Sequence, residues 1–156
     1  MMARSFKSVG TLSTNKKYEV KTLPKPIGFK TPLRLGVLKE GIFSMHYTPI
    51  DQIQDNLKNL LLTNHGERLG FYDFGADLLP LVFESSAEVD IEEEAMVRIK
   101  TSVEKYLPFI DLQEFESQFQ PGTGDSLSRL KIRLTYDVPV LAVENRSLSI
   151  EITGGA

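Results

Sequence analysis

Thr48 to Asp77, TPIDQIQDNLKNLLLTNHGERLGFYDFGAD, constrains this chain more than any other stretch. Thr48 stands as a helix N-cap, Pro49 at the first helical position, and Asp51 where an acid can reach back to the cap. Ile50, Ile53, Leu57, Leu60 and Leu61 then recur on one face of a 3.6-period helix. Asn64-His65-Gly66 is expected to close that helix, with Gly66 entering the left-handed conformation without a Cβ penalty. The next ten residues, GERLGFYDFG, interleave three aromatics and three charges with glycines. They are too apolar to be a solvated linker and too glycine-punctuated to be helix. The expectation is a structured loop whose aromatics pin it to the helix before it.

A second helix is signalled by Asp90 as its cap, Glu93 at the capping-box position, and acids from Glu92 to Glu94 at the positive end of the helix dipole. Its buried stripe reads Ile91, Ala95, Ile99, Val103 and Tyr106 or Leu107, and Pro108 ends it. The glutamate run is accounted for by helix-terminus electrostatics; a calcium loop wants spaced acids with an intervening glycine. Between the two helices, Ala76 to Phe83 reads as a short helical turn and Glu84 to Val89 as a connector. Ile42 to Tyr47 is either a short strand or the hydrophobic lead-in to the first helix.

From Phe109 the period changes to two. Ile110, Leu112, Phe115, Ser117 and Phe119 alternate with a slip near Gln113-Glu114 that predicts a bulge. Pro121 to Asp125 is a turn. Leu130, Ile132, Leu134, Tyr136 and Val138 alternate with Arg129, Lys131, Arg133 and Thr135, so one face is buried and one is basic. Glu114 and Glu116 are placed to offset those bases across the hairpin. After Pro139 to Asn145, the residues Leu148, Ile150 and Ile152 alternate with Ser147, Ser149 and Glu151. The fold class is therefore α+β: two main helices and a short one packed on a small antiparallel sheet of about three strands. The last strand has no following element to cover it, and an open edge is a template for another chain's strand. Leu148, Ser149, Ile150, Glu151 and Ile152 are the candidate edge contacts.

The charge is split along the chain. Residues 1–41 hold nine of the eighteen basic residues against two acids, net +7, while 42–156 are net −10. Pro24, Pro26 and Pro32 favour extended backbone, and Leu23, Ile27, Phe29, Leu33 and Leu35 are too many for a bare spacer. Residues 1–47 therefore read as an extended basic arm that orders against a partner, and 48–156 as the folded domain. The arm lacks the arginine density and interleaved aromatics of a nucleic-acid patch, so none is expected as a partner. Without cysteine there is neither a disulfide scaffold nor a thiolate metal site, and His46 and His65 lie far from any carboxylate cluster. No cofactor or metal is expected. No apolar run approaches the length of about eighteen residues that spans a bilayer, and the N-terminal residues lack the continuous apolar segment of a signal peptide, so the expectation is a soluble protein made inside the cell, without a membrane partner. No serine or cysteine nucleophile constellation is present. Gly122-Thr123-Gly124 lacks the lysine of a phosphate loop.

The helix plus loop, DNLKNLLLTNHGERLGFYDFGADLLPLVFE, resembles the signature of the gene-25-like (lysozyme-like) family of phage baseplate wedge proteins, which includes the wedge subunit of type VI secretion systems. The resemblance rests on Leu61-Leu62-Thr63, the loop residues Gly66, Glu67, Arg68, Asp73, Phe74 and Gly75, and the Leu78 to Glu84 segment, and runs from about Asp51 to Ile152. It implies a structural subunit of a contractile-tail baseplate in the virion, made in the host cytoplasm. Such a subunit docks on other wedge proteins and templates the first sheath ring by accepting strands of the tail sheath protein. Tube or hub proteins are then candidate partners of the arm. In the family a Glu-Pro-Arg tripeptide at the end of the second helix contacts neighbours; here Leu107, Pro108 and Phe109 stand there, so the charge-assisted contact does not carry over. The older lysozyme-like label raises a peptidoglycan-cleaving glycosidase as the alternative, with Glu67 and Asp73, or Glu67 and Asp77, as its carboxylate pair and Phe71 and Tyr72 as its stacking surface. Arg68 beside Glu67 is expected to lower rather than raise the pKa of that acid, and the simpler reading has Glu67 paired with Arg68 or with a helix end, and Asp73 capping the turn into Gly75. The sequence-based expectation is no catalytic residue.

Overall fold

The computed structural model describes residues 25–36, 42–83, 88–122 and 127–154. Two short strands, β1 (Gly28–Phe29) and β2 (Met45–His46), pair antiparallel. Their ladder is extended by amide bonds from Ile27 to the His46 carbonyl (2.8 Å) and from Ser44 to that of Arg34 (2.9 Å), and by a bridge between Leu35 and Phe43. Of the expected arm over 1–47, the described residues thus form a hairpin laid against the first helix. Residues 1–24 and 37–41 lie outside the described residues.

α1 spans Pro49–Leu62 with Thr48 extended at its N-cap. Asp51 does reach back, accepting the Thr48 hydroxyl proton rather than a backbone one. Leu57, Leu60 and Leu61 are buried, each such side chain contributing about 1.5–3 kcal/mol relative to exposure. The helix stops earlier than expected. Thr63 is already extended, its hydroxyl donating back to the Asn59 carbonyl at 2.6 Å. Gly66 is left-handed (φ 85°) as foreseen, but it turns the loop rather than capping the helix.

α2 (Leu79–Phe83) and α3 (Glu88–Tyr106) follow. Residues 84–87 of the expected connector lie outside the described residues, and Glu88 and Val89 are already helical. Asp90 is therefore inside the first turn of α3 instead of being the cap. Ile91, Ala95, Ile99, Val103 and Leu107 form the expected buried stripe.

β3 (Asp111–Gln120), β4 (Ser128–Val138) and β5 (Val143–Gly154) form one antiparallel sheet in the order β3-β4-β5. The register of β3 on β4 shifts between Leu112 and Glu114, which leaves Gln113 as the bulge residue. Of the expected turn, Thr123 to Asp125 lie outside the described residues. β5 begins earlier than its alternation suggests. The connector shrinks to a 3-10 turn over Pro139–Leu141 and a left-handed Ala142, while Asn145, also left-handed, lies inside β5 with its amide bonded to Asp137 Oδ1 at 2.7 Å.

Helices cover one sheet face. There Leu130, Ile132, Leu134, Tyr136 and Val138 of β4 and Leu148, Ile150 and Ile152 of β5 are buried. The other face is charged. Glu116 lies 3.9 Å from Arg133 as expected, while Arg129 faces Glu151 of β5 at 3.6 Å. Exposed pairs of this kind contribute no more than about 1 kcal/mol each. They fix register more than they stabilise. No described helix is long and apolar enough to cross a membrane.

Candidate functional site

The loop between α1 and α2 is held at its base by polar and backbone contacts. The Asn64 backbone amide and side-chain amide donate to the two carboxylate oxygens of Glu67 at 2.9 and 2.8 Å, and the Gly66 amide donates to the Tyr72 carbonyl at 2.8 Å. Asn64 Oδ1 accepts from Leu79 (3.2 Å), so one side chain ties the end of α1 to the start of α2. The amides of Ala76 and Asp77 return to the carbonyls of Leu60 (3.1 Å) and Thr63 (3.3 Å). α3 grips the same segment from the other side. Buried Ser102 donates to the Gly75 carbonyl at 2.9 Å, and Arg98 Nη1 donates to the Asp77 carbonyl at 2.7 Å while its Nε pairs with Glu94 at 2.9 Å.

The aromatics do something other than expected. Only Phe74 packs inward, edge-on to Tyr106 of α3 with centroids 4.9 Å apart. Leu69, Phe71 and Tyr72 stand 92%, 59% and 71% exposed. Short backbone returns leave the tip residues no core to reach. Apolar identity is not by itself a signal of burial. Arg68 likewise does not pair with Glu67; its guanidinium stacks over Phe74, 4.3 Å from the ring centroid.

The carboxylates proposed for a glycosidase have the wrong electrostatics for an acid catalyst. The Asn64 backbone amide, then its side chain, hold the Glu67 carboxyl below its usual value. Asp73 is lowered chiefly by Lys105 of α3, which it meets in an ion pair. Both are exposed and stay ionised at neutral pH, whereas a glycosidase proton donor needs a raised pKa in an apolar setting. Asp77 is engaged by Arg98 and by the His65 amide (3.2 Å).

The two other candidate surfaces lie apart in the fold. At the end of α3, Leu107 is buried in the core, while Pro108 and Phe109 face outward. The geometry presents two of that tripeptide's three residues. Along β5, Leu148, Ile150 and Ile152 point into the core and Ser149 and Glu151 point out; β5 pairs only with β4, so its other edge is free among the described residues. Sequence reasoning missed the roles of Asn64, Arg98, Ser102 and the His46–Asp55 pair. Each joins segments between nine and twenty-seven residues apart. Nothing local marks them, although a serine on the apolar stripe of a helix is a hint that a buried acceptor lies opposite.

Searching the curated proteins gives no match. Among solved structures, one chain of the anti-feeding prophage baseplate superposes with a TM-score of 0.57 at 20% identity, covering 70% of this chain and 82% of that one. A Geobacter sulfurreducens protein given the provisional name of tail lysozyme superposes with a TM-score of 0.55 at 21% identity, over 70% of this chain and 94% of its own. At such identities the likeness is one of fold. The family described as baseplate wedge protein gp25 matches residues 49–141, from the first residue of α1 to the turn before β5. With α1, the signature loop, α3, β3 and β4 all inside that span, the chain belongs to the gp25 baseplate wedge family.

Proposed function

We propose that this chain is a structural wedge subunit of a contractile-tail baseplate that docks on neighbouring wedge proteins and offers β5 as the template for the first sheath strands. The observation that carries the reading is the edge of β5, which is free among the described residues. It is a twelve-residue strand whose inner face is fixed in the core by Leu148, Ile150 and Ile152. An edge with a locked register offers an incoming strand one set of backbone partners and one facing, which a template requires. Pro108 and Phe109 supply an apolar contact for neighbouring wedge proteins where the family uses charge. The basic arm ahead of the described hairpin reaches tube or hub proteins. The role is structural rather than catalytic, which the lowered Glu67 and Asp73 support.

Deleting β5 would remove core residues and unfold the domain, so the edge is better tested from its exposed face. Ser147→Lys with Ser149→Lys places two charges beside the incoming strand and leaves the buried face untouched. The variant is expected to fold and enter baseplates normally, yet to give tails whose tubes carry no sheath in electron micrographs. Fully sheathed tails from this variant would overturn the templating role.

A further inference from the structure

Among the described residues the sheet has a second free edge, β3, and its surroundings differ from those of β5. A cleft of about 570 Å³ runs between β3 and α3, with Met96, Ile99, Val103, Ile110, Leu112 and Phe115 on its walls and floor. Met96 is 46% exposed at its mouth. Lys100, Glu104, Asp111 and Glu114 rim the cleft, so acids outnumber bases there. On the exposed sheet face Glu114 and Glu116 project from β3 itself, Glu116 with Arg133 of β4 on its inner side at 3.9 Å and its outer side toward the edge. Along β5 the corresponding residues are uncharged apart from Glu151, which faces Arg129.

We propose that the β3 edge and this cleft receive an extended segment of another protein chain, apolar at every second residue and lysine- or arginine-bearing between. Strand pairing on β3 turns alternate side chains of the added segment toward the helices, where the cleft takes them, and the intervening ones toward Glu114 and Glu116. The free backbone edge, the apolar cleft along it and the acidic rim are three separate features that select one ligand chemistry. The cleft borders Asp111–Phe115 of β3, so the side chains that enter it belong to the end of the segment paired along that half of the strand. The proposal does not depend on the role given to β5.

The test uses the full chain and a fluorescent synthetic peptide of alternating valine and lysine, ten residues long like β3. A peptide of the same composition with the valines and lysines in separate blocks is the control. The alternating peptide is expected to bind and to slow amide exchange over Asp111–Gln120. Met96→Lys, or Glu114→Lys with Glu116→Lys, should weaken it by roughly tenfold or more, and the paired lysines at Ser147 and Ser149 should not. All these substitutions are on exposed positions, so the fold is kept. Absence of binding, equal binding of the block peptide, or protection on β5 instead of β3 would each overturn the proposal. So would concentration-dependent protection of β3 without peptide, which would mean that a second copy covers the edge.

Discussion

Gly75→Ala is expected to lower stability by about 3 kcal/mol or more, and the melting temperature by roughly 6–12 °C, the largest effect of any single methyl added to the loop. Two costs coincide there. Gly75 has φ 118°, a conformation that side chains with a Cβ rarely adopt, and a Cβ built on it would lie 2.1 Å from the Thr63 carbonyl oxygen and 2.7 Å from its carbon. The clash is with backbone, which cannot swing aside as a side chain could. Relief requires Thr63 to move, and that carbonyl already accepts the Asp77 amide, so the whole return to α1 loosens. The Ser102 bond to Gly75 loosens with it. Alanine at Gly66, which is also left-handed but has nothing within 4 Å of the added atom, should cost far less. Thermal melts of the two variants separate strain from clash. Equal losses would contradict the close approach described for Gly75.

Asp55→Ala is expected to cost about 2–3 kcal/mol, because it strands two donors at once, the buried His46 and the half-buried Thr31 amide. Asp55 Oδ2 accepts from the Thr31 amide at 2.8 Å and from His46 Nε2 at 2.7 Å, and His46 is only 7% exposed. An ionised carboxylate only accepts, so the histidine carries its proton on Nε2. This one side chain on α1 fastens the β1–β2 hairpin. The loss should appear first as faster amide exchange at Ile27 and Thr31, ahead of any change in the sheet. Burial pushes the Asp55 carboxyl up, but the Thr31 amide and His46 together outweigh it and hold the pKa below the ordinary 3.8. The pH dependence follows in sign. A carboxyl lowered in the fold contributes stability that is complete above 3.8 and is lost as pH falls through the still lower folded value. Wild-type hairpin protection should thus hold from neutral pH to about 4 and fall below it, whereas the variant should show none of that acid-dependent loss. Unchanged exchange in Asp55→Ala would remove the carboxylate from its role.

Elements with a sustained period or a terminal signal were readable in the chain. Thr48-Pro49 marks the start of α1, the Leu130-to-Val138 alternation gives β4, and one slip in phase locates the bulge at Gln113. These are local effects, written in neighbouring residues. Of the β1–β2 hairpin, β2 was readable as the short-strand alternative over Ile42 to Tyr47, but β1 was not, because a two-residue strand carries no period and its anchor is a single long-range carboxylate. The start of α3 slipped because an acid is nearly as favourable inside the first turn as at the cap. The loop aromatics were misassigned for a different reason. Their apolarity is real, but with both loop ends returned to α1 the tip residues Phe71 and Tyr72 stay in solvent. Of the candidate site, the free β5 edge was legible from chain order, while the burial of Leu107 could be read only as an alternative to Tyr106.

The central claim concerns the outer edge of β5, and a side-chain-resolution map of the intact tail examines it most directly. The account predicts a strand of a sheath subunit hydrogen-bonded along Ser147–Thr153 on the side away from β4. An edge bare in the assembled tail, or filled by this chain's own leading segment, would contradict it.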